Sequence, residues 1–151
     1  MSLSRFIKLW THPNYAPEPV VKEDLEGAER LLKTRLPTAY RNAILELGLP
    51  RPTIELLDAI CDRDLDLYSL GDFLGPTEIA EVTGGWRDLG LPEELVAFAT
   101  DGMGNLFCFP TSLEATEDLP VFLWDHDSKE VESVASSFSG WIEDYCRLSP
   151  N

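Results

Sequence analysis

The sequence predicts an α+β domain in which an antiparallel sheet is backed by helices. Three observations lead there. Apolar residues recur at helical spacing through Lys22 to Leu47 and again near Gly75 to Arg87 and Ser137 to Tyr145. Short β-favouring runs at Leu95–Ala99, Leu106–Pro110 and Val121–Trp124 are each bounded by turn residues. No regular alternation of strand and helix marks a parallel sheet. At 151 residues the chain fits one domain that buries roughly two-thirds of its unfolded surface.

Residues 3 to 10, LSRFIKLW, form a short helix with Phe6, Ile7 and Trp10 on one side, and Trp10 and Trp86 are the candidates for partial exposure. Pro13, Pro17 and Pro19 keep the next stretch extended. Lys22 to Lys33 is a helix with Leu25, Ala28 and Leu32 at its core face, and Glu23, Asp24 and Glu26 near its positive end. Leu36-Pro37 breaks it. Pro37 suits the first turn of a second helix, whose stripe is Tyr40, Ala43, Ile44 and Leu47 and whose stop is Gly48. This helix-kink-helix unit is expected to cover one face of the sheet.

The run Ile54 to Ile60 suits a strand or a short helix and is taken as a strand; Asp62 to Tyr68 alternates charge with Leu65 and Leu67, as an edge strand does. Gly75-Pro76-Thr77-Glu78 opens a helix through Arg87, with Ile79, Val82 and Trp86 on one face. Leu95 to Ala99 is a strand leading into the hinge Asp101-Gly102-Met103-Gly104-Asn105. The strand after the hinge points Leu106 and Cys108 to one face and Phe107 and Phe109 to the other, so both faces need cover. Glu130 to Val134 alternates as a strand with one wet face. Ser136 or Ser137 caps a terminal helix striped by Phe138, Trp141, Ile142 and Tyr145.

Charge narrows the function classes. The net charge is −15, but residues 1 to 51 hold eight Lys and Arg against six Asp and Glu, whereas residues 52 to 151 hold four against twenty-one. An imbalance of that sign argues against direct nucleic-acid binding, which requires neutralised phosphates, and favours a basic partner or simple solubility. No apolar run is long enough for a membrane span, and the first residues lack the pattern of a secretory signal, so a cytoplasmic location is expected. Cys61, Cys108 and Cys146 are widely spaced among apolar residues, as reduced buried thiols are.

Asp101, Asn105, Asp125, His126 and Asp127 form the one constellation with the ingredients of a metal or acid-base site. Asp and Asn beside glycine are also turn formers, and Gly102-Met103-Gly104 lacks the helix-opening context of a phosphate cradle. The turn reading is preferred. Neither a catalytic residue nor a metal nor a cofactor is expected, and Trp124 and Trp141 are read as core.

Three blocks resemble a known family. The first runs from Leu25 to Leu47 with Leu36, Pro37 and Tyr40 as fixed points; the second is Phe98 to Phe109, holding Asp101, Gly102, Gly104 and Asn105. The third is Pro120 to His126, with Trp124 and His126, followed by Ser137-Phe138. In this order they resemble the SUKH superfamily, which groups fungal cell-wall-synthesis regulators of the Smi/Knr type with many bacterial immunity proteins. Met103 departs from a glycine often found in the hinge, and residues 48 to 68 lack the glycine-rich stretch common there.

The resemblance implies a sheet-and-helix scaffold with no catalytic signature. For bacterial members it implies binding and neutralising a cognate toxin, nucleases being prominent among such toxins. The alternative it allows is a non-enzymatic regulator of the Smi/Knr type acting on endogenous partners. Combined with the charge, the expected partner is a basic protein toxin. The candidate contacts are Asp62, Asp64, Asp66, Glu114, Glu117, Asp118, Asp125 and Asp127, from loops and an edge strand, and the side formed by residues 93 to 132, which hold ten acids and only Lys129 as a base, is the first choice.

Overall fold

A computed structural model describes residues 2–62 and 68–148. Its helices are α1 (Ser2–Trp10), α2 (Lys22–Leu32), α3 (Thr38–Leu47), α4 (Ile54–Asp62), α5 (Pro76–Arg87) and α6 (Phe138–Cys146). The strands are β1 (Asp72–Phe73), β2 (Leu95–Thr100), β3 (Leu106–Pro110), β4 (Val121–Trp124) and β5 (Val131–Ala135). They form one sheet in the order β1-β2-β3-β4-β5, antiparallel throughout.

Both faces of the sheet are covered, as the consecutive apolar residues of β3 require. Leu106, Phe107, Cys108 and Phe109 are all buried. On one face Trp86 of α5 meets Trp124 edge to face at 5.4 Å, and α2 packs against α5. On the other, Trp141 of α6 lies 5.0 Å from Phe107 and 5.3 Å from Phe98, Tyr40 of α3 meets Phe98 and Phe109, and α1 packs on α6. The helix-kink-helix unit therefore does not cover one face. Its two helices diverge to opposite faces around the Leu36-Pro37 break.

A bulge between Ala97 and Ala99 lets the ring of Phe98 stack on Phe109 with 4.0 Å between centroids. The Ala97 N–H donates to Oγ1 of Thr83, which accounts for a fully buried threonine on α5. The terminal helix is capped twice. Ser137 Oγ accepts from the Gly140 N–H at 2.9 Å, and Asp118 Oδ1 accepts from the Phe138 N–H at 2.8 Å.

Two further expectations fail. Ile54 to Ile60 is helical, because burial of Leu56 and Ile60 one turn apart selects a helix where a short apolar run allows either state. Trp10 is 1 % exposed, and its indole N–H donates to the Tyr145 carbonyl at 2.9 Å. The edge strand expected at Asp62 to Tyr68 falls mostly on residues 63–67, outside the described residues, while Asp62 itself ends α4. Among the described residues no helix is long and apolar enough to cross a membrane.

Candidate functional site

The antiparallel register brings the β2–β3 hinge and the β4–β5 turn to the same end of the sheet, since Thr100 pairs with Leu106 and Leu106 with Trp124. There Asp101 Oδ1 accepts from the Met103 and Asn105 N–H groups at 2.7 and 3.1 Å, and its Oδ2 accepts from Asn105 Nδ2 at 2.8 Å. With its Nδ2 so used, Asn105 turns Oδ1 toward the His126 N–H at 3.2 Å and toward His126 Nδ1 at 2.8 Å. The acceptor there assigns the ring proton to Nδ1. One relay, Asp101 to Asn105 to His126, ties the two turns together.

Glycine is required in this arrangement. Gly104 has φ +98°, and a Cβ on it would lie 3.0 Å from the His126 ring; at Gly71 a Cβ would lie 2.8 Å from the backbone of Asp101 and Gly102. The imidazole also meets Trp86 at 5.8 Å between centroids. Lys129 Nζ donates to the His126 carbonyl at 2.7 Å and lies 5.3 Å from the Trp124 ring centroid.

Asp125, His126 and Asp127 present ligand atoms within 4.8 Å of one another, the spacing a cation needs. Much of their capacity is already in use. Asp125 Oδ1 accepts from the Asp127 and Ser128 N–H groups at 2.8 and 3.1 Å, and those bonds hold its carboxyl below the usual carboxylate range. His126 Nε2 lies 3.4 Å from Asp127 Oδ1. This geometry locks a turn. Elsewhere, burial pushes the Cys108 thiol up, opposite to the shift that makes a nucleophilic thiolate.

The acidic candidates do not share one side. Asp125 and Asp127 sit at the hinge end, whereas Glu114, Glu117 and Asp118 lie on the β3–β4 loop at the opposite end. That loop is pinned to the α2–α3 link: the Arg35 N–H donates to the Ser112 carbonyl at 2.7 Å, and the Thr38 and Ala39 N–H groups donate to the Thr116 and Glu117 carbonyls, each at 2.8 Å. Asp118 is occupied as a cap, with Oδ2 also accepting from Ser139 Oγ at 2.8 Å. Asp64 and Asp66 lie outside the described residues, as does the Asp62 side chain.

Residues passed over in the sequence lie at and just before the start of β5, which among the described residues has a strand neighbour on one side only. Glu130, Val131, Glu132 and Ser133 are exposed there, next to the Asp125–Asp127 turn. Behind Glu132 is a cavity of about 130 Å³ lined by Tyr68, Trp141, Asp144 and Tyr145 among others. Tyr68 OH donates to Glu132, and Tyr145 OH donates to the Tyr68 carbonyl at 2.7 Å. Alternation of charge at Glu130 and Glu132 is the signal that could have found this edge; the aromatic wall comes from elements distant in sequence.

The result is an antiparallel sheet enclosed by helices, with its polar hinge engaged in internal bonds and exposed acids where its last strand begins. The sequence profile of the SMI1/KNR4 family (SUKH-1) matches residues 19–144, and the chain belongs to that family. The match spans all three blocks, from Leu36, Pro37 and Tyr40 through the glycine hinge to Trp124 and His126. Comparison with curated proteins gives no match.

Proposed function

We propose that the protein is a non-enzymatic immunity protein of the cytoplasm that binds a cognate basic toxin and blocks its active site. The observation carrying this reading is the acidic edge in a SUKH-1 chain: Glu132 on β5 and Glu130 just before it, beside Asp125 and Asp127. An outer strand offers backbone groups to a partner, while its carboxylates accelerate encounter with a basic surface and discourage pairing with a second copy. The aromatic cavity behind Glu132 suits a cationic side chain, which acids and ring faces both attract. If the toxin is a nuclease, the carboxylates imitate the phosphates of its substrate.

Co-expression with the toxin domain encoded beside this chain tests the reading. Rescue of growth and co-purification are expected; failure of both with every neighbouring toxin overturns it. Family membership equally supports a regulator of the Smi/Knr type. That reading predicts an endogenous partner recovered from cells that carry no toxin gene.

A further inference from the structure

Lys22, Glu26, Glu29 and Arg30 recur at helical spacing along one side of α2, and Lys33 follows at its C-cap. Arg35 from the α2–α3 link and Arg41 from α3 join them around a cavity of about 530 Å³, within the size range of small-molecule sites. Five cations and two carboxylates line it, an excess of three positive charges in a chain of net charge −15.

A buried acid organises this cavity. Glu29, 6 % exposed, accepts the Leu36 N–H through Oε2 at 2.8 Å, and that oxygen lies 3.7 Å from Arg35 Nε. Its Oε1 lies 3.4 Å from Nε of Arg41, whose side chain is 16 % exposed and whose Nε has no hydrogen-bond partner among the described residues. Glu29 thus orients two guanidinium groups while neutralising the charge of one. Lys22 is 4.0 Å from Glu26. Arg30 and Lys33 form no side-chain hydrogen bond or ion pair among the described residues.

We propose that this cavity binds a compact polyanion carrying adjacent phosphoryl groups, of the size of pyrophosphate or a nucleoside diphosphate. Guanidinium forks match phosphoryl oxygens in geometry, and a concave wall with an excess of positive charge focuses its field. An extended polyanion fits poorly, because exposed Glu114 and Glu117 share the loop of Leu113, which lines the cavity, and repel any chain that runs beyond it. Leu113, 85 % exposed, supplies an apolar wall for an organic portion. The site lies apart from β5 and does not depend on a toxin partner.

Calorimetric titration of the full chain with pyrophosphate and with adenosine diphosphate, at constant ionic strength, tests this site. Saturable binding of one or both is expected, and tighter binding of the nucleotide assigns Leu113 to its organic portion. The R30Q/K33Q double variant, whose changes fall on exposed positions, should weaken binding about tenfold or more. Lys8→Gln on α1 should leave it unchanged. The site is refuted by absence of saturable binding, by equal binding of sulfate, by undiminished binding in the double variant, or by a single-stranded oligonucleotide binding more tightly than either probe.

Discussion

At the hinge end of the sheet, Asp101, Asn105 and the main chain around His126 bond to one another, whereas along α2 Arg30 and Lys33 face a cavity with no partner among the described residues. The hinge has the composition of an active site and the bonding of a joint. The α2 face, in sequence, is indistinguishable from an ordinary solvated helix face. Groups already bonded within the fold stabilise it, and a ligand that claimed them would have to replace those bonds; unbonded groups held in a concave wall carry no such cost. The distinction lies in which hydrogen bonds are already made, not in residue type.

Removing Glu29 should have the largest effect on that comparison. Glu29→Ala leaves the Leu36 N–H without its acceptor and the largely buried Arg41 without its ion-pair partner, and a loss of about 3 kcal/mol in urea denaturation is expected. A loss below about 1 kcal/mol would mean that the cavity's floor relaxes freely. Next is Gly104→Ala, expected to cost about 1–3 kcal/mol because it combines a positive φ with a close approach to the imidazole. Adding His126→Ala should recover part of that loss by removing the clash but not the backbone strain. A strictly additive double variant would show that the two residues do not meet.

The hinge itself contains a finer contrast. Asp101→Ala orphans the Met103 and Asn105 N–H groups and should cost about 1–2 kcal/mol, while Asp127→Ala, at an exposed carboxylate, should stay within about 0.5 kcal/mol. Equal losses would undo the separation of joint from surface. The smallest effect belongs to Asp125. Its carboxyl is held low by backbone N–H groups in the folded chain, so its contribution is present above the ordinary carboxylate range and disappears as pH falls through the depressed value. The stability gap between wild type and Asp125→Asn should be constant above about pH 5 and close on acidification. A gap that widens in acid has the wrong sign for this account.

Much of the fold is legible in the sequence because local signals agree with it: the stripes of α2, α3 and α6, the Ser137 cap, and the turn residues around β3 and β4. Residues 54 to 62 are not, since an apolar run that short satisfies either periodicity until its neighbours are known. The bulge at Phe98 carries no glycine to mark it, and its compensating partner, Thr83, lies on another element. The burial of Trp10 is hidden for the same reason, its indole partner being supplied by Tyr145.

For the candidate site, composition reveals the acids but not their grouping. Asp118 and Asp125 lie close in sequence, yet β4 runs between them and carries them to opposite ends of the sheet. Nor does composition reveal that Asp118 caps a helix beginning at Phe138. The hinge, by contrast, is legible as turn chemistry, because Asp and Asn beside glycine carry their own hydrogen-bonding logic.

The central functional claim is that the carboxylates of the acidic edge, rather than the imidazole of His126, meet the partner. Stopped-flow association with the toxin encoded by the adjacent gene, as a function of salt, measures this most directly. The E130K/E132K variant should associate at least about tenfold more slowly, with a flatter salt dependence, while His126→Ala associates as wild type does. Unchanged association in the double variant together with lost neutralisation in His126→Ala would contradict the claim and return the function to the hinge.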